Sequence, residues 1–458
     1  MCGYLDEGHM KRLKTVRTFQ SKFNGVPEAT VKFLATPDTV ALVPVAAPFV
    51  KLKLLVREND RVDVGTPLLQ DKRDPQVVFV SPGAGTVEAI VRGRRRVVQE
   101  IVIRLDQKSQ GAKEMTPISL ESLDAMPRME LIQLLKQRGI WPFIRQFPFM
   151  DVPDSQSPFP MAVISLHCGD PFVAAPSVFL KDQQTSFLHG IAILEKLAEK
   201  VIVATPQRFL SPLKLMGLAK HITHVTPDEY PAGDPGVILY QIKKNVTDNA
   251  SCTMYPQELI AMGHFFSTGQ YQTKRFYAVG GTPARLPAHY CSRMGSPLKH
   301  LMGDINPGTG VITGGIFTGN LTPVDAHMGT GLSSAIVLNA TDKDSFLGFA
   351  WPGKNLLSES RTFMSSLGSA HLDMDATLHG EERACINCGW CDKKCPVNLL
   401  PQFIMKAMGA GDMEEVLELG LLDCTGCGLC TFVCPSKINV AAIMAVAKET
   451  YHRERMIS

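Results

Sequence analysis

Hydrophobic and polar positions alternate in short, β-branched runs over residues 40–103, VALVPVAAPFVKLKLLVRENDRVDVGTPLLQDKRDPQVVFVSPGAGTVEAIVRGRRRVVQEIVI. The runs break at Asn59-Asp60, Val64-Gly65, Ser81-Pro82 and Gly83-Ala84-Gly85. Short alternating runs bounded by turn residues predict a small all-β unit. After a Lys-, Ser- and Thr-rich linker (107–117) the period lengthens. MELIQLLKQRGI (129–140) and SFLHGIAILEKLAEK (186–200) repeat apolar residues at helical spacing, and they alternate with the apolar runs MAVISL (161–166) and VIVAT (201–205). Helices alternating with buried strands predict an α/β domain. Residues 275–345 turn β and glycine-rich again (FYAVGGTP, GVITGGIFTG, AIVL). From about 373 the pattern is helical: LLPQFIMKAM and DMEEVLELGLL are amphipathic, with Gly409 to Gly411 as the break between them.

A length of 458 residues allows three or four domains at roughly 100–200 residues each. The balance of 47 Lys+Arg against 44 Asp+Glu excludes the clear basic excess of a nucleic-acid binder. The mild apolar run from Val40 to Val50 is interrupted by Pro44 and Pro48 and falls short of the ~20 apolar residues that span a bilayer. MCGYLDEGHMKRLK has no apolar stretch after its basic residues, so no signal peptide is expected.

Eight of the 12 cysteines fall between Cys385 and Cys434, while Cys2, Cys168, Cys252 and Cys291 are scattered. Clustered cysteines without a secretion signal read as metal ligands. Two motifs of the form C-x2-C-x2-C-x3-C-P appear: Cys385, Cys388, Cys391, Cys395, Pro396 and Cys424, Cys427, Cys430, Cys434, Pro435. Every cysteine recurs 39 positions later (385 to 424, 388 to 427, 391 to 430, 395 to 434), which marks an internal duplication. Three thiolates at this spacing wrap three iron corners of a [4Fe–4S] cluster, and in paired arrays the fourth ligates the other cluster. The expected sets are therefore Cys385, Cys388, Cys391 and Cys434 for one cluster, and Cys424, Cys427, Cys430 and Cys395 for the other. Zinc ribbons are the competing reading, but zinc takes four ligands and has no need of the tandem pattern. Gly389, Gly426 and Gly428 free the loops to turn backbone N–H groups toward sulfur. Lys393 and Lys394, beside Cys395, either raise a cluster potential or are surface charge.

Taken with QDKRDPQVVFVSPGAGTVEAIVRGRRRVVQEIVI, RGIWPFIRQFPFMDVPDSQSPFPMAVISL, YPAGDPGVILYQI, ELIAMGHFFSTGQY, FYAVGGTPARLP and RTFMSSLGSAHLDMDATLHGEERA, the chain resembles the NqrA family of the Na+-translocating NADH:quinone reductase. It resembles the RnfC family of the related Rnf ferredoxin:NAD+ reductase more distantly. NqrA proteins usually lack cluster ligands after the position of Ala384, and this chain has all eight, as RnfC proteins do. Where RnfC proteins have a glycine-rich FMN loop, this chain reads Arg138-Gly139-Ile140-Trp141-Pro142-Phe143-Ile144-Arg145-Gln146-Phe147-Pro148. Trp141 and Phe143 would obstruct the close backbone approach that a phosphate cradle needs, so FMN is not expected.

The resemblance implies a multidomain α/β and β architecture. A barrel-sandwich hybrid with the N-terminal segment would occupy 1–110, and a Rossmann-like domain of the complex I flavin-subunit type 118–272. A β-grasp (SLBB-like) domain at 273–350 and an α-helical dicluster ferredoxin domain at 373–458 would follow. It also implies a peripheral protein on the cytoplasmic side of the inner membrane, beside integral flavin-bearing subunits. Electrons would pass between a soluble donor such as NADH or ferredoxin and membrane subunits or quinone. The alternatives are a non-catalytic docking or assembly module and a flavin–iron–sulfur NADH dehydrogenase subunit.

The remaining motifs read as structure. The Arg92-Gly93-Arg94-Arg95-Arg96 run is expected to be a solvated hairpin turn, and Gly280-Gly281 and Gly314-Gly315 to Gly319 are expected to be β turns. Tyr230-Pro231-Ala232-Gly233 with Asp234-Pro235-Gly236 reads as a structural turn. Lys72 precedes a strand without the symmetric hairpin of a lipoyl or biotinyl carrier. His264, His371 and His379, and the scattered cysteines, read as packed or surface residues.

Overall fold

The computed structural model describes residues 10–14, 17–19, 22–44, 49–106, 115–339, 353–354, 357, 359–360, 363–368, 370–374 and 381–457. Cys2, His379, Pro48, most of the 107–117 linker and the end of the 273–350 segment lie outside them.

The alternating runs near the start form two facing antiparallel sheets. Thr39–Leu42, Val98–Leu105, Gly85–Arg92 and Arg61–Val62 make one; Leu52–Leu54, Pro67–Asp71 and Val78–Val80 make the other. Register explains the core, because Val40 and Val87 both pair with Ile103 and all three side chains are fully buried. Side chains directly opposite in neighbouring strands share a face. The arginine-rich run forms the exposed turn between Gly85–Arg92 and Val98–Leu105.

The second layer is a six-stranded sheet in the order Lys11–Arg12, His224–Thr226, Val201–Pro206, Ala162–Ser165, Cys252–Thr253, Arg145–Gln146. Every neighbouring pair is parallel except the last. Its central strands Ala162–Ser165 and Val201–Pro206 are buried on both faces, as strands flanked by helices must be. Two covering helices, Gln184–Leu197 and Pro256–Thr268, cross where Gly263 meets Gly190. A Cβ on Gly263 would lie 1.8 Å from the Ser186 carbonyl oxygen, so only glycine permits the crossing.

The third unit is a mixed sheet, Asn320–Thr322, Thr309–Thr313, Ser334–Asn339, Lys274–Gly280, Ala288–Arg293, Glu28–Phe33. Its edge strand comes from the N-terminal segment, whose described residues add no strand to the barrel-sandwich sheets. Glu28–Phe33 runs parallel to Ala288–Arg293, and Lys11–Arg12 extends the α/β sheet.

The C-terminal unit is helical: Trp390–Lys394, Pro401–Ala410, Met413–Glu418, Leu429–Phe432 and Val440–Ile457. The break between the two amphipathic stretches sits at Gly411, left-handed at φ +73°, followed by Asp412, whose side chain accepts from the Glu415 N–H. No described helix is long and apolar enough to cross a membrane.

Candidate iron-sulfur site

Each cysteine motif is a tight loop running into one short helical turn. Gly389 and Gly428 stand at the start of Trp390–Lys394 and Leu429–Phe432, left-handed at φ +69° and +78°. A Cβ on Gly428 would lie 2.3 Å from the Phe317 carbonyl oxygen. The glycine therefore lets the second motif lie against the third sheet's Gly314–Gly319 loop.

The loops bring the eight cysteines together in two sets, each mixing the motifs. Cys385, Cys388, Cys391 and Cys434 line one hollow; Cys395, Cys424, Cys427 and Cys430 line another. The first set has its fourth member from the second motif, and the second set has Cys395 from the first. Polar backbone contacts fix the crossing, since the Arg383 N–H donates to the Ser436 carbonyl at 2.8 Å and the Ser436 hydroxyl to the Ala384 carbonyl at 2.9 Å.

The donor chemistry of both hollows suits a cluster. Neither is lined by a histidine or an acid. Among the described residues no three His, Cys, Asp or Glu side chains close around a single ion. Zinc needs its sulfurs about 2.3 Å from one point, whereas an iron–sulfur cluster sits between thiolates set farther apart. Burial pushes the Cys391 and Cys430 thiols up to about 12, and it raises Cys395 and Cys427 as well. A bound metal centre would supply the positive charge that favours thiolates there. The Leu399 N–H donates to Cys395 Sγ at 3.3 Å, and the Thr425 hydroxyl lines the second hollow, buried with no partner among the described residues. It is a donor that the protein alone leaves unused.

The two sets differ in cover. All four cysteines of the first set are half-buried, and Ile386 between Cys385 and Cys388 is 67% exposed. Cys395 and Cys427 of the second set are buried. The Tyr230 hydroxyl donates to the Cys427 carbonyl at 2.7 Å, and its ring stacks on Phe317 at 4.8 Å. Phe317 and Phe19 both meet Phe432 edge-on, at 5.3 and 5.1 Å. Lys243 pairs with Asp423, and Lys448 donates to the carbonyls of Cys424 and Pro148. The second set thus lies where the helical unit meets the other domains.

Sequence reasoning reads the Tyr230–Gly236 turn as structural and misses its contact with the cysteine loop; no local pattern marks it. Trp141, expected to obstruct a phosphate cradle, is instead a fully buried core residue, stacked on Phe159 and donating to the Pro153 carbonyl at 3.2 Å. Phe143, with Gly139, Ile140 and Pro142, lines a cavity of about 300 Å³ where the barrel-sandwich, the α/β sheet and the third sheet meet. Phe79, Phe265, Tyr255 and Leu332 complete much of its apolar wall, and the Arg145 guanidinium, whose pKa is lowered by burial, adds charge. Sequence reasoning misses this cavity too.

The remaining candidates lie apart from the cysteine sets. Cys252 and Cys291 are buried in strands, and Cys168 is half-buried. His371 lies 3.4 Å from the Phe23 carbonyl, and burial lowers the pKa of His264. Lys394 pairs with Glu359, while Lys393 is exposed above the Trp390 ring.

Residues 14–106 match the family described as the NqrA N-terminal barrel-sandwich hybrid domain, residues 126–271 the NqrA second alpha/beta domain, and residues 381–438 the 4Fe-4S dicluster domain. The chain is similar along almost its whole length to the A subunits of Na(+)-translocating NADH-quinone reductases. It is 27% identical to the Histophilus somni (strain 2336) protein and 29% to that of Vibrio anguillarum, with 94% of this chain and 97% of each relative covered. Among solved structures, a chain of an NAD+-reducing [NiFe]-hydrogenase in the H2-reduced state is similar at a TM-score of 0.37 and 13% identity. That match covers 74% of this chain and 64% of the other, a likeness too slight to argue from. The chain therefore carries two NqrA-family domains followed by a 4Fe-4S dicluster domain.

Proposed function

We propose that the chain is the peripheral electron-transfer subunit of an ion-translocating oxidoreductase of the Nqr/Rnf type, carrying two [4Fe–4S] clusters. Cys385, Cys388, Cys391 and Cys434 hold one cluster, and Cys424, Cys427, Cys430 and Cys395 the other. The observation that carries this reading is the sorting of eight cysteines from two motifs into two mixed sets of four. Bound clusters supply one-electron transfer. The chain's own residues hold the two sets in one small helical unit, keep one near the surface and bury the other against the body.

The full-length similarity to the A subunits of Na(+)-translocating NADH-quinone reductases supports a place in a membrane complex. We assign the chain to its cytoplasmic face, beside integral flavin-bearing subunits. Electrons run between a soluble donor, NADH or a ferredoxin, and the membrane subunits or quinone. The apolar cavity at the domain junction has the size and lining of a site for a small aromatic ligand and supports quinone as one acceptor. The α/β unit is read as Rossmann-like and the third sheet as a β-grasp (SLBB-like) domain.

Anaerobic reconstitution of the full chain tests the reading. Iron and acid-labile sulfide are expected near eight each per chain, with paramagnetic signals on dithionite reduction. A chain that takes up one zinc per motif and no sulfide would overturn it.

A further inference from the structure

The hairpin of Gly85–Arg92 and Val98–Leu105 outruns the sheet it belongs to. On one side Arg61–Val62 pairs only with Thr86 and Gly85, and on the other Thr39–Leu42 stops opposite Ile101. The two hairpin strands go on pairing with each other as far as Arg92 and Val98. Residues 91–98 therefore form a projecting arm with no third strand beside it among the described residues. Val91 and Val97 stand 41% and 60% exposed on this arm.

The turn at the end of the arm is filled against its own backbone geometry. Arg95 and Arg96 are both left-handed, at φ +55° and +58°. Glycine and asparagine take this region readily, and hairpin turns that need it are usually Asn-Gly or Asp-Gly. Two arginines in that place keep charge at the expense of turn geometry, a conflict expected where a surface has a use. With Arg92 and Arg94 they make four exposed cations, and none is ion-paired with a described acid. The carboxylates on and beside these strands are engaged elsewhere: Glu88 pairs with Arg104, Glu100 with His327 and Asp106 with Arg61. Glu58 accepts from the Ile90 N–H at 3.1 Å and follows the cation Arg57 in sequence. The charge at the tip is therefore not cancelled.

Guanidinium groups take phosphate oxygens in pairs, so four on one tip fit a dense array of phosphates. So short a tip is too small for a stable protein interface, which needs about 800 Å² on each side. A lipid leaflet asks for no such area, because it is a continuous plane of headgroups. We infer that this arm docks the barrel-sandwich unit on a leaflet rich in anionic phospholipid, with the arginines on the phosphates and Val91 and Val97 at headgroup level. The contact is with the lipid itself, and it stands whether or not the cysteine sets hold clusters.

The test is sedimentation of the full chain with vesicles of phosphatidylcholine alone, or of equal parts phosphatidylcholine and phosphatidylglycerol. Binding is expected to the anionic vesicles only, and should weaken at least tenfold between 20 and 300 mM salt, about the fall expected when surface charges are screened. An arginine near an anionic leaflet is worth about fivefold in binding, so R94Q/R95Q should weaken it about 25-fold. R95N/R96G removes as much charge and supplies the favoured turn residues. It should unfold at no lower a temperature than the parent chain and still lose vesicle binding by a similar factor, which separates lost charge from a damaged arm. Equal binding to both kinds of vesicle, no binding to either at low salt, or undiminished binding by R95N/R96G overturns the docking arm. Tighter binding to duplex DNA than to anionic vesicles at equal phosphate concentration overturns the assignment to lipid. None of these results bears on the cysteine sets, whose iron and sulfide are measured separately.

Discussion

Tyr230 and Cys427 meet across 197 residues of sequence, the phenol of the α/β domain donating at 2.7 Å to the main chain of the second cysteine motif. Burial raises the phenol's pKa far above its ordinary range, so it stays a donor. Phenylalanine at 230 would keep the stacking on Phe317 and leave a buried carbonyl without its partner. Y230F should lower unfolding stability by about 1–2 kcal/mol. It should alter the paramagnetic signal of the second set and leave that of the first unchanged; equal perturbation of both would contradict the placement.

The crossed sets make a sharp prediction for single cysteines. C434S lies in the second motif, yet it should disturb the cluster held by Cys385, Cys388 and Cys391. C395S lies in the first motif and should disturb the other. Iron per chain should fall from near eight toward four in each variant, with opposite halves of the signal surviving. Loss of the cluster belonging to the mutated motif would show uncrossed ligation.

Asp234 caps the Pro235–Ile242 helix, with one carboxylate oxygen accepting from the N–H groups of Gly236 and Val237 at 2.9 and 3.2 Å. Burial lifts its pKa to about 6, against about 3.9 in an unfolded chain. Below about pH 6 the folded chain takes up a proton that the unfolded chain still lacks. The favourable contribution is full below about pH 4 and is lost as pH rises through 6. D234N keeps both cap bonds through its amide oxygen and removes the charge. Its stability relative to the parent chain should be more favourable at pH 7.5 than at pH 4.5, by on the order of 1–2 kcal/mol for a partly covered side chain. Chemical unfolding at the two pH values reads this directly, and no change with pH would refute it.

Glu258 and Arg275 form a buried bidentate pair, 1% and 3% exposed, joining the Pro256–Thr268 helix to the third sheet. Removing one partner strands the other charge away from water. E258Q should lower unfolding stability by about 3–5 kcal/mol. The double variant E258L/R275M should recover a large part of that loss, because no charge remains buried. A single variant within 1 kcal/mol of the parent by chemical denaturation would show that the pair is solvated.

The two cysteine loops are readable in sequence because ligand spacing is local: three thiols with two residues between neighbours must share one loop. The α/β unit was legible for a similar reason, since MAVISL and VIVAT are continuous apolar runs and become the adjacent parallel strands Ala162–Ser165 and Val201–Pro206. Glu28–Phe33 was not legible. Its residues are largely exposed and its partner strand lies about 260 residues away, so no periodicity within the segment could announce it. Trp141 misleads because bulk in a loop looks the same in sequence as bulk in a binding site. The rotation that turns it into the core while Phe143 faces the cavity is a tertiary fact. The cavity is assembled from three separately readable domains and is visible in none of them.

The N-terminal strand also bears on how this protein comes into being. Glu28–Phe33 leaves the ribosome some 260 residues ahead of its neighbour Ala288–Arg293. Arg17 waits longer still, because its guanidinium bonds the carbonyls of Asp392 and Cys395. At a synthesis rate of about 5–20 residues per second, the nascent strand stays unpaired for tens of seconds. The barrel-sandwich and α/β domains can close in the meantime. Glu28–Phe33 can then pair before the cysteine segment is made, whereas Arg17 and Phe19 cannot take up their contacts until it is. Two neighbouring stretches of one segment therefore settle at different times, one on the third sheet and the other on the cysteine unit.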